Sequence, residues 1–149
     1  MKLNWLAILF IIVAALAVPS VSAKIIEEKD GYIVTTCDKS LNLPEAFKST
    51  SRSISQGQTD WYSTSVPAGK TSLYADLNWG DTSDSISLTI LAPDSTLGPY
   101  YDSADGHIDG RINLRISKSS GIPSGTWWSK IYGEMVNGAQ SYTYSASAI

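Results

Sequence analysis

The sequence contains one cysteine and one histidine among 149 residues. Cys37 therefore has no partner for an internal disulfide, and the fold must hold without covalent staples. That leaves it as a buried, inert thiol or as a link to another chain. A zinc site would have to be completed by carboxylates, since Cys37 and His107 are the whole supply of nitrogen and sulfur ligands. Nucleophilic hydrolysis is provided for no better. His107 is the only imidazole base, Cys37 lies far from it in sequence, and no serine stands in a Gly-x-Ser-x-Gly elbow. Basic residues are scarce as well. Eleven Lys and Arg face fourteen Asp and Glu, without a basic cluster, which argues against a nucleic-acid partner. Helical periodicity is nearly absent: only "LPEAFKS" at Leu43 to Ser49 suits a helix, and for two turns at most.

Long apolar runs are limited to the beginning of the chain. In "MKLNWLAILFIIVAALAVPSVSA" the run from Trp5 to Val18 follows the positive Lys2 and precedes Pro19. At about 1.5 Å per residue it covers roughly two-thirds of a ~30 Å hydrocarbon core. Val21-Ser22-Ala23 then supplies the small residues of a signal-peptidase site. The expectation is a signal peptide over 1–23, cleavage after Ala23, a secreted or extracellular product and no stable membrane span afterwards. Loss of Lys2 takes the net charge from −3 to −4.

What remains is patterned with a period of two. "TSLYADLNW" puts Leu73, Ala75, Leu77 and Trp79 on one face, "SISLTIL" does so with Ile86, Leu88 and Ile90, and "RINLRIS" with Ile112, Leu114 and Ile116. "TWWSKIY" and "QSYTYSA" close the chain in the same style. Turn signals separate these runs: Pro67-Ala68-Gly69, Gly80-Asp81, Pro93-Asp94, Asp105-Gly106, Pro123-Ser124-Gly125 and Asn137-Gly138. Short half-buried strands at this spacing predict an all-β, antiparallel β-sandwich. Its core should include Leu77, Trp79, Leu88, Ile90, Ile112, Leu114 and Trp127. Ahead of it, "KIIEEKDGYIVTTC" reads as a hairpin about Asp30-Gly31. The polar "KSTSRSISQGQ" reads as a linker leading into a first edge strand. The chain thus divides into the leader (1–23), an N-terminal extension of hairpin and linker (24–48) and a sandwich module (49–149).

The order of "QGQTDWYSTSVPAGKTSLYADLNW", "SDSISLTILAPDSTLG", "SGTWWSKIYG" and "AQSYTYS" resembles the bacterial pre-peptidase C-terminal domain family over roughly residues 52 to 146. These are small secreted β-sandwich modules that accompany exported peptidases and other enzymes. The shared features are the stretch from Gly57 to Tyr62 with Asp60, the Val66 to Gly69 turn, the Pro93-Asp94 turn, Gly125-Thr126-Trp127, Tyr132-Gly133 and Tyr142-Thr143. The resemblance implies a jelly-roll-like sandwich of about eight strands and an accessory, non-catalytic role. It also implies that Tyr62 and Trp127 point inward while Trp61 and Trp128 lie nearer the surface. Two departures stand out: no catalytic domain precedes the module, and the loop "DSADGHIDGR" is longer and more acidic than the family pattern.

That loop has two readings. Asp102, Asp105 and Asp109 supply three carboxylates on a glycine-permitted loop, as calcium requires, and some members of the resembled family bind calcium. Alternatively they brace two successive tight turns, where aspartate accepts backbone hydrogen bonds. The aromatics raise a second candidate site. Consecutive Trp127 and Trp128 must face opposite ways in a strand, so one of each such pair is offered to solvent or to a covering segment. Trp61 and Trp128 are the tentative ligand-binding residues. The expected function is a secreted, non-catalytic module that binds an extracellular polysaccharide, the cell envelope or an exported enzyme. A structural or assembly subunit is one alternative. A small hydrolase with paired carboxylates drawn from Asp81, Asp84, Asp102, Asp105 and Asp109 is the other.

Overall fold

A computed structural model describes residues 23–37 and 49–149. The leader up to Ser22 and all but the last residue of the helical candidate Leu43 to Ser49 lie outside the described residues. Ten strands follow in order: β1 (Ile25–Lys29), β2 (Tyr32–Thr36), β3 (Thr50–Ser55), β4 (Thr59–Val66), β5 (Ser72–Asn78), β6 (Ser85–Ala92), β7 (Ser95–Tyr100), β8 (Arg111–Lys118), β9 (Gly125–Met135) and β10 (Ala139–Ala148). A short 3₁₀ turn covers Asp102–Asp105. Among the described residues no helix is long and apolar enough to cross a membrane.

Two sheets form, β1-β2-β8-β5-β10-β3 and β4-β9-β6-β7, with every pairing antiparallel. Within residues 49–149 the pairs nest: β3 with β10, β4 with β9, β5 with β8, β6 with β7. This is the jelly-roll wrapping of an eight-stranded sandwich. Alternation fills its interior. Leu73, Ala75 and Leu77 of β5, Ile86, Leu88 and Ile90 of β6, Ile112, Leu114 and Ile116 of β8, and Trp127 and Ile131 of β9 are all buried. Trp79 and Trp127 keep their indole N–H groups satisfied by the carbonyls of Asp84 and Pro123, at 3.2 and 3.0 Å.

The N-terminal hairpin is part of this sandwich. Asp30 and Gly31 both have positive φ (52° and 79°), the two-residue turn whose twist matches its flanking strands. β2 pairs with β8 from Tyr32↔Lys118 to Thr36↔Leu114, which buries Tyr32 and Val34. The Tyr32 ring meets Trp127 edge-on at 5.9 Å, its hydroxyl donates to Asp94, and Lys118 Nζ lies 4.4 Å from its centroid. The hairpin also grips the opposite sheet. Glu27 accepts hydrogen bonds from the Gly98 N–H and the Tyr100 hydroxyl, and Lys29 Nζ donates to the Thr96 carbonyl at 2.6 Å.

One segment differs from its expected form. The polar stretch read as a linker holds strand β3, which pairs with β10. Of its six residues only Ile54 is buried, so an edge strand with a single inward apolar side chain left no alternation to detect.

Candidate functional site

The acidic loop is organised around its first aspartate. Asp102 is buried, and its carboxylate accepts hydrogen bonds from the backbone N–H groups of Asp109 (3.2 Å), Gly110 (2.9 Å) and Arg111 (3.3 Å). Three donors converge on one carboxylate and draw the far end of the loop back to its start. Gly110 is needed there, since a Cβ would stand 2.7 Å from the Gly80 backbone. Asp105 makes the local version of the same bond, accepting from His107 N–H at 2.8 Å. Asp109 lies half-buried near Arg111, and its charge reinforces that of Asp76, which holds the Arg111 guanidinium by two 2.8 Å hydrogen bonds. Among the described residues no three His, Cys, Asp or Glu side chains gather as a metal ion would require. The loop geometry is that of braced turns.

Removing the brace tests this directly. Asp102→Ala leaves up to three amides without their acceptor and lowers stability by about 2–3 kcal/mol, whereas Asp105→Ala, which frees a single solvent-exposed amide, has little effect. Thermal melts in calcium and in chelator coincide on the turn reading. A calcium-dependent rise in Tm that Asp105→Asn removes would instead establish the metal site.

The remaining carboxylates of the hydrolase alternative are also engaged by the chain. Asp81 accepts from the Ser83 N–H (2.9 Å) and hydroxyl (2.6 Å), bonds that hold its carboxyl below the usual range. Buried Asp84 accepts from Asn137 N–H at 3.0 Å. A groove of about 480 Å³ beside β3 is lined by serines of β3 and β10 with Arg52, Asn78, Trp79, Tyr142 and Thr143. That lining holds no carboxylate, imidazole or thiol for acid–base chemistry. Cys37 sits half-buried beyond the end of β2. Burial first, and the Asp76 charge second, push its thiol up to about 12, so it stays protonated at neutral pH.

The aromatic residues do form a surface. Trp61 on β4 and Trp128 on β9 are 48% and 45% exposed, while Trp127 is buried and Tyr62 packs against the core. The strand register sets Trp61 opposite Lys130 and Trp128 opposite Ser63, on the outer face of the four-stranded sheet. The two tryptophans are therefore diagonal neighbours, about 7–8 Å apart at their Cα atoms. Tyr132 lies on the same face, four residues beyond Trp128, or roughly 13 Å along the strand. Its ring is 5.5 Å from Lys130 Nζ. Leu91 of β6 stands opposite Trp128 and Thr89 opposite Lys130, which completes a row of apolar and hydroxyl groups with one central ammonium.

No family model and no curated protein matches this chain. Solved structures similar to it include PliG of Aeromonas hydrophila, a periplasmic lysozyme inhibitor of g-type lysozyme. That match has 16% identity and a TM-score of 0.42, covering 69% of this chain and 86% of that one. Likeness at that level transfers no function.

Sequence reasoning singled out Trp61 and Trp128 and missed their neighbours. Tyr132 and Lys130 share the parity of Trp128 in one strand, a signal present in "TWWSKIY" and its continuation. Leu91 and Thr89 arrive from another strand and carried no such signal. Sequence reasoning also missed the interior anchor of β4. Buried Asp60 accepts from the Tyr142 hydroxyl at 2.6 Å and from Gln58 Nε2 at 3.2 Å. Tyr62 donates in turn to the Tyr142 oxygen at 2.7 Å. This chain fixes β4 and, with it, the direction in which Trp61 points.

Proposed function

We propose that the chain is an exported, non-catalytic β-sandwich that binds an extracellular polysaccharide with the outer face of its four-stranded sheet. The observation that carries this reading is the half-exposure of Trp61 and Trp128 as diagonal neighbours on that face. Sugar rings present flat C–H faces edged by hydroxyls. Indole and phenol rings cover such faces with large apolar area, and nearby Ser, Thr and Lys side chains meet the hydroxyls. The face carries one ammonium, Lys130, and one carboxylate, Glu134, which already accepts from the Ser87 hydroxyl at 2.7 Å, so a neutral chain of sugars meets no net charge there. The apolar leader sequence supports export, and the resemblance to pre-peptidase C-terminal domains supports an accessory role.

The test is co-sedimentation of residues 24–149 with insoluble polysaccharides such as cellulose, chitin and purified cell-wall polymer. Wild type pellets with at least one of them, and the double variant Trp61→Ala, Trp128→Ala weakens binding by about tenfold or more. Its melting temperature should stay that of wild type, because neither indole supports the core. Retention on no polymer, or equal retention of the variant, would overturn the proposal in favour of a protein partner.

A further inference from the structure

Any sheet that does not close on itself leaves a row of unpaired amides and carbonyls along each outer strand, and most proteins blunt such edges. Among the described residues the sandwich has four: β1 and β3 in one sheet, β4 and β7 in the other. Three of them are obstructed. β1 has five residues, three of them charged, a register break between Ile25 and Glu27, and side chains tied across to β7. β7 has six residues, a register break where it meets β6 between Leu88 and Ile90, and Pro99, which offers no amide. β3 has Arg52 at its centre, with the guanidinium 5.7 Å from the Tyr62 ring.

β4 has none of these devices beyond its second residue. It runs for eight residues in unbroken register with β9, from Thr59↔Tyr132 to Val66↔Gly125. Its outward residues Trp61, Ser63 and Ser65 are exposed and uncharged, and its single charge, Asp60, is sealed inside under Tyr142. We infer that β4 is a self-association edge, through which two copies of this chain pair antiparallel about a two-fold axis.

The occupant is a second copy for two reasons. An antiparallel strand pair is its own complement under a two-fold, so a single edge serves both partners. The exposed side chains of β4 carry no charge, so the paired strands themselves bring no like charges together, and the Arg52 guanidinium that lies over Tyr62 comes from β3. Pairing would join the two four-stranded sheets into one of eight strands. The flank of Trp61 would be covered, and the two aromatic faces would run together. The inference stands independently of what those faces bind.

Sedimentation velocity on residues 24–149, under reducing conditions to exclude Cys37 cross-links, reads the result. The expected outcome is a mass that rises from monomer toward dimer between micromolar and millimolar concentration. Ser63→Lys, which places an ammonium on the solvent side of the edge, should remain monomeric with an unchanged melting temperature. Hydrogen exchange should show β4 amides slowing as concentration rises, while those of β1 do not. A monomer throughout the range would overturn the inference, as would a dimer unaffected by Ser63→Lys or concentration-dependent protection at β1 instead of β4.

Discussion

Leu88→Ala lowers the unfolding free energy by about 2–5 kcal/mol, the cost of a lost isobutyl group plus the cavity left behind. Leu88 has no exposed surface and lies on β6 between its two in-register partners, Ile131 of β9 and Tyr100 of β7. Ile86 and Ile90 flank it on the same inward row. Strands on both sides limit collapse of the site, which favours the upper part of that range. Domains of this size are stable by only about 5–15 kcal/mol, so a substantial share of the total is at stake. Urea titration monitored by tryptophan fluorescence measures it. Thr89→Ala, one residue along and on the opposite face, should shift stability by no more than about 0.5 kcal/mol. Equal midpoints for wild type and Leu88→Ala would mean that the inward row of β6 is misassigned.

The second large effect is alkaline unfolding. Tyr100, Tyr142 and Tyr144 are buried, and burial is the main cause that pushes their phenols well above the ordinary value. The carboxylates of Glu27 and Asp60, accepting from Tyr100 and Tyr142, add to the rise. In the unfolded chain the same phenols titrate near pH 10. Below that value both states keep their protons and stability is at its full level. Above it the unfolded chain releases protons that the folded one retains, so stability falls with rising pH until the folded phenols ionise as well. Each such group contributes about 1.4 kcal/mol per pH unit, or about 4 kcal/mol for the three by pH 11. The measurement is tyrosinate absorbance followed together with circular dichroism. These phenols should ionise in a steep step coincident with loss of sheet signal. Smooth titration of all eight tyrosines near pH 10 with the fold intact would contradict it.

The difference between legible and illegible features follows from range along the chain. The faces of β5, β6 and β8 could be read because alternation is a local property, forced by the pleat, and each strand is buried on one side. The Asp30-Gly31 turn could be read because its backbone demands residues that tolerate positive φ. β3 could not, since an edge strand of serines with one inward isoleucine obeys no pattern. Asp102 was legible as a turn residue. Its hold on three amides seven to nine positions away was not, because only the folded loop brings them within reach. Asp60 was read in the family-like stretch of β4 without a role, which the hydroxyl of Tyr142, 82 residues on, provides.

The amino-acid order alone specifies a two-layered β fold without internal disulfides, because periodicity, turn chemistry and a lone cysteine are all read along the chain. It also determined that one tryptophan of the Trp127-Trp128 pair faces outward. That Trp61 and Trp128 share one surface depends instead on long-range pairing, with β4 lying against β9 in a register set by partners some 65 residues apart. The same holds for the hairpin at the N-terminus. Its turn is local, but its place in the sandwich rests on pairing β2 with β8, and no short-range preference specifies which strands meet.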